Sequence, residues 1–259
     1  MPEGDPLGKP DHFAVFVTPQ VNVTYRHSLP MAVSGQHNLE GLSVLNQSTL
    51  LDRTKAPTLI KAARLYQDAL WLAESQPELS WLLLVSALEA AANEWQKARG
   101  AAVQRLELSK PELYRYLANL PDRSVLQEVT SHIADSLGIA KKFIDFMMKF
   151  LPEPPAARPP ENFQFNWNDE ELRTAFRMIY GYRSKALHEG RPFPPPMSEA
   201  PYTDPRWGGC AEIMSGLGSG QLGGTWLKKD IPMNLHLFEH ITRNVLLNWW
   251  KFCTSSSED

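Results

Sequence analysis

Apolar positions recur every three to four residues along most of this chain, the period of helices that bury one face. Leu59, Ala62, Ala63, Tyr66, Ala69, Leu70 and Ala73 form one such face, which predicts a helix over 59–73. Gln76-Pro77 breaks it, and a second helix runs from Pro77 to about Lys97. That helix contains WLLLVSALEAAANEW, apolar almost all the way round, and a helix without a polar face belongs at the centre of a bundle. Further helices are predicted over 110–117, 124–137, 140–150, 169–190 and 233–252. Leu120-Pro121-Asp122, Gly138 and the stiff connector LPEPPAARPP at 151–160 separate them. The fold class is therefore all-α: a helical bundle over 55–253 behind a short N-terminal extension.

Periodicity lapses in three places. Residues 1–54 hold two β-branched and aromatic clusters, His12 to Val17 and Val21 to Tyr25, which read as short strands before a turn at Ser34 to Asn38. The segment is too short for a core of its own, so it is expected as an arm packed on the bundle or the remnant of a larger domain. Residues 191–232 are rich in proline and then glycine, as in GLGSGQLGG, with no strand before the glycines and no Gly-Lys-Ser/Thr after them. This stretch reads as a lid or a disordered insertion, with composition favouring the insertion. The tail at 254–259 is expected to be disordered.

Two charges stand against the apolar pattern. The helix over 169–190, DEELRTAFRMIYGYRSKALHEG, gathers Leu172, Ala175, Phe176, Ile179, Tyr182, Ala186 and Leu187 on one stripe, and Arg183 falls within it. A guanidinium on a core-facing stripe demands a carboxylate, a phosphate or a polar interface. On the central helix, Glu89 shares a face with Leu82, Val85 and Asn93. Glu89 and Arg183 are thus expected to pair; the alternative is that Glu89 reaches solvent at the bundle edge. His188 projects on the side of Arg173, Arg177 and Ser184, in the last turn, where the helix dipole favours an imidazolium.

The run Arg183-Ser184-Lys185-Ala186-Leu187-His188, set in YGYRSKALHEG, resembles the arginine, four residues, histidine signature of the HEPN superfamily. Its flanks look most like the Apea-like branch. Ser184 stands where the wider superfamily often has Asn, Asp or His. The resemblance implies an all-α, HEPN-like bundle and metal-independent cleavage of RNA by its own 2′-hydroxyl, leaving a 2′,3′-cyclic phosphate and a 5′-hydroxyl. It also implies a composite site where two motif helices meet in a homodimer, and a toxin or antiviral defence role with an antitoxin or regulatory partner.

The residues suit that chemistry. His188 offers an imidazole, the side chain most often used as a general base, for the hydroxyl proton. Arg183 stays charged and its fork grips two phosphate oxygens as charge develops. Glu89, Ser184 and Lys185 are supporting candidates, and Arg173, Arg177 and Arg191 are candidates for RNA contact. The alternative is a catalytically inactive HEPN-like module that dimerises or docks a partner, with Arg183 as a buried ion-pair anchor and His188 as a helix cap.

Composition narrows the setting. A formal charge of −3 argues against a surface that coats nucleic acid, so RNA contact requires a local basic cluster. Cys210 and Cys253 are the only cysteines and read as free thiols rather than a disulfide framework or zinc site. His236 and His240 have metal-ligand spacing, but no third ligand accompanies them, and neither metal nor cofactor is expected. No apolar run approaches the roughly 18 residues of a membrane span. The expected location is the cytoplasm.

Overall fold

The computed structural model describes residues 27–33, 42, 45–46, 51, 53–95, 102–133, 138–214, 216, 218–221 and 224–255. In chain order its elements are α1 (Pro30–Val33), α2 (Ala56–Leu72), α3 (Pro77–Trp95), α4 (Ala102–Ser109), α5 (Pro111–Ala118), α6 (Arg123–Ile133), α7 (Ile139–Lys149), α8 (Asp169–Glu189), β1 (Gly218–Gln221), β2 (Gly224–Leu227) and α9 (Leu235–Ser255). The architecture is an all-α bundle with one small antiparallel hairpin, Gly218 opposite Leu227 and Gln221 opposite Gly224.

Helix α3 is apolar on nearly every side because it is covered by α2, α7, α8 and α9. Trp81, Leu84, Val85, Leu88 and Ala91 are fully buried on it, and each large apolar side chain so buried contributes about 2 kcal/mol. Phe143, Phe146 and Met147 of α7, Leu172, Phe176 and Ile179 of α8, and Phe238, Ile241 and Trp249 of α9 complete this core. Helices α4, α5 and α6 close a small separate cluster on Leu106 and Leu117. Helix α4, eight residues long, is too short to announce itself by periodicity.

The stretch after α8 corrects its reading as a lid or insertion. Phe193, Met197 and Ala211 are buried, and the Trp81 indole N–H donates to the Met197 carbonyl at 2.9 Å. The Trp81 ring lies between Phe193 and Phe238, at centroid distances of 5.6 and 4.9 Å. The prolines that argued against regular structure lead into a short 3-10 turn, Pro195–Ser198, which buries Met197 just after Phe193 enters the core. The hairpin β1–β2 in the same stretch carries glycines where alternation would have marked strands.

At the chain's ends, α9 runs on to Ser255 with Thr254 buried, shortening the expected tail; residues 256–259 lie outside the described residues. So do the strands read at His12 to Val17 and Val21 to Tyr25 and the turn at Ser34 to Asn38. Of the N-terminal extension, Leu29 is buried in the main core and the Ser28 N–H donates to Glu74 Oε1 at 2.9 Å. Among the described residues no helix is long and apolar enough to cross a membrane.

Candidate functional site

Helix α8 is bounded by the signals its sequence carries. Asn168 Oδ1 accepts from the Glu171 N–H at 2.8 Å, and Asp169, Glu170 and Glu171 set negative charge on the first turn. Gly190 ends it at φ +64°, a conformation costly to residues with a Cβ. The Arg191 N–H then returns to the Lys185 carbonyl at 3.2 Å. Leu172, Ala175, Phe176 and Ile179 are its buried stripe, and Arg183 follows one turn after Ile179.

The expected pairing forms. Arg183 Nη2 donates to Glu89 Oε2, with only 18% and 12% of the two side chains exposed. Tyr180 joins from one turn back: its hydroxyl donates to Glu89 Oε1 at 2.9 Å, and the guanidinium lies 5.8 Å from its ring centroid. Burial raises the pKa of Glu89, and the opposing pull of Arg183 and the Tyr180 hydrogen bond does not cancel it. Burial, and then the neighbouring Glu89 carboxylate, push the Tyr180 phenol up. Arg183 Nε is buried without an acceptor among the described residues, which leaves the guanidinium a donor not used by them.

His188 takes a different course. It is exposed in the last turn of α8 and, among the described residues, has no hydrogen bond or ion pair. Ser184 is half-buried, and Lys185 is exposed with Nζ 5.8 Å from the Tyr182 ring centroid. Of the arginines read as RNA contacts, Arg173 lies 3.9 Å from Asp145 and Arg191 lies 3.3 Å from Glu189. Arg177 is exposed without an ion pair among the described residues. The structure thus brings Arg183 and Glu89 together and leaves Arg173, Arg177 and His188 along another side of the helix.

Sequence reasoning missed two polar groups. Tyr180 was legible as an aromatic three positions before Arg183, on the same side. The other group is a buried pair beyond α8: Arg158 Nε and Nη2 donate to the two oxygens of Glu212 at 2.8 and 2.6 Å. The Phe165 N–H also donates to Glu212 Oε2, at 2.7 Å. Its signal was Glu212 within CAEIM, a carboxylate among apolar neighbours.

His236 and His240 lie one turn apart near the start of α9. His236 is buried and its pKa is pushed down to about 4, by burial first and then by His240, against a hydrogen bond with the Cys210 backbone. His240 Nε2 lies 3.4 Å from the Glu153 carbonyl. Among the described residues no group of three or more His, Cys, Asp or Glu is placed to hold a metal ion.

Compared with protein-family models, curated proteins and solved structures, the chain matches none. The functional reading therefore rests on the residues of α8 and what faces them.

Proposed function

We propose that this protein is a HEPN-type endoribonuclease that cleaves RNA through attack of the 2′-hydroxyl, without metal, and serves as a toxin or defence effector in the cytoplasm. The observation that carries the reading is an exposed, unengaged His188 five residues from a guanidinium braced by Glu89 and Tyr180. An imidazole open to solvent can take the hydroxyl proton. A guanidinium held in one orientation is preorganised for the charge that builds on the phosphorane. Arg183 Nη2 gives one of its two N–H groups to Glu89, so the guanidinium retains further donors for phosphate oxygens.

Five positions along an α-helix turn a side chain by about 140°, so one copy of α8 does not aim both groups at one phosphate. The reading accordingly includes a homodimer in which two α8 helices approach and the histidine of one serves with the arginine of the other. Exposed Leu187 beside half-buried Ala186 gives such an interface an apolar centre. The decisive experiment incubates structured and unstructured RNAs with wild type and His188→Ala in chelator, and sizes both proteins by light scattering. Metal-independent cleavage by a wild-type dimer, abolished in the variant, is the expected result; cleavage that survives the substitution overturns the mechanism.

The Arg183–Glu89 pair also favours a second reading, a non-catalytic helical module in which the motif anchors α8 to α3. Folded wild-type protein that cleaves none of the RNAs would decide for it.

A further inference from the structure

Helix α8 and irregular segments on either side of it enclose a cleft of about 380 Å³, within the range of small-molecule sites. Phe165, Met178 and Ile231 supply apolar lining; Asn166, Glu171 and Thr174 supply hydrogen-bonding groups; Lys228 and Lys229 supply positive charge. Both lysines are exposed, and neither they nor the Asn166 and Thr174 side chains have a partner among the described residues.

The walls are fixed by the buried pair that the α8 site does not use. Glu212 holds the Phe165 N–H through its carboxylate, at 2.7 Å, and its own N–H donates to the Phe163 carbonyl at 2.9 Å. Its carbonyl accepts from the Asn234 N–H at 2.9 Å. Three segments distant in sequence thus meet on one residue, which Arg158 neutralises. The lysine turn is tied to α8 separately, by the Tyr182 hydroxyl donating to the Asp230 carbonyl at 2.7 Å. A cleft braced from both sides is preformed, and a ligand entering it has little ordering cost.

The lining selects a ligand with two unlike ends. Paired ammonium groups favour a phosphate, whereas Glu171 repels a ligand that is anionic throughout, such as an acidic peptide. A nucleotide meets both conditions. Its base has a flat apolar face and an amino or imino edge that donates to a carboxylate or amide, and its phosphate is separate.

We propose that this cleft binds a nucleotide, with the base against Met178 and Ile231, its edge toward Glu171 and Asn166, and the phosphate on Lys228 and Lys229. Met178 and His188 are ten positions apart on α8, about 15 Å along its axis. The nucleotide is therefore either free or one residue of a strand whose further part reaches His188; the second source rests on the ribonuclease reading.

The test titrates the full chain by calorimetry with the four ribonucleoside 5′-monophosphates and with short 2′-O-methyl oligoribonucleotides, which lack the attacking hydroxyl. Wild type is compared with Lys228→Ala/Lys229→Ala and with Thr174→Trp, an exposed position where an indole fills the cleft. Binding should weaken about tenfold or more in both variants, with unchanged circular dichroism. Monophosphate binding identifies a free nucleotide, and oligonucleotide binding alone identifies a strand. Cleavage plays no part in the readout, so an inactive protein that binds sinks only the ribonuclease reading. Wild type that binds none of these ligands at millimolar concentration, or equal binding by wild type and both variants, overturns the proposal.

Discussion

Arg183 and His188 share helix α8 but face different surroundings: the guanidinium turns in to Glu89 on α3, and the imidazole stands in solvent at the helix's last turn. Structure and chemistry at the two positions are therefore separable by substitution.

His188→Ala removes a solvent-exposed side chain whose structural contribution is confined to the helix dipole, of order 1 kcal/mol or less. Urea denaturation should place the variant within that margin of wild type, while RNA cleavage in chelator falls to background. A large loss of stability would show that the histidine is held by contacts absent from this geometry.

Glu89→Ala and Arg183→Ala each leave a half-buried charge without its partner, and each should cost about 3 kcal/mol. The double substitution should cost less than the sum of the two, because it removes both charges together. Tyr180→Phe, which deletes one hydrogen bond to the carboxylate, should cost about 1 kcal/mol. Chemical denaturation of the four variants measures all three expectations, and additive losses would mean that the pair is not coupled.

Acid should weaken the fold through His236. Its folded pKa of about 4 lies below the ordinary 6.5, so between those values the unfolded chain binds the extra proton and stability falls as pH falls. The loss approaches about 3 kcal/mol when pH has dropped to 4. Glu89 and Glu239, whose pKa values burial raises, act in the opposite direction, so the signal is the difference between wild type and His236→Phe. Unfolding free energies at pH 7 and pH 4.5 should show a smaller drop in the variant.

Trp81→Ala empties the space between Phe193 and Phe238 and removes the hydrogen bond to Met197. A loss of about 4 kcal/mol is expected, together with protease cleavage near 193–198 under conditions where wild type resists. Loss of stability without new cleavage there would mean that the segment after α8 is held by other contacts.

Where the burial pattern is regular, the sequence carried the structure. Leu59 to Ala73 and the run through Trp81 became α2 and α3 because their spacing leaves one way to cover apolar surface. Arg183 and Glu89 were legible as a pair because each charge stood alone among apolar neighbours. Phe193 and Met197 were not legible as core, since the prolines around them mask a short 3-10 turn that only tertiary packing rewards. Tyr180, three positions before Arg183 on the same side of the helix, could have been read as a third member of that pair. Arg158 looked like part of a linker, and its partner lies 54 positions away, a separation no local pattern encodes.

The Glu89–Arg183 contact spans 94 positions of chain, and that separation orders events in time. Helices α2 and α3 adjoin in sequence and pack on each other, so their contacts close at small entropic cost. The charge pair closes only after α7 and the proline-rich connector have delivered α8 to α3. Weakening it is expected to speed unfolding more than it slows refolding, which the two arms of a denaturant chevron for Arg183→Ala would measure. On that expectation the guanidinium at the centre of the proposed chemistry is also a late latch, governing how long the folded molecule lasts more than how quickly it is made.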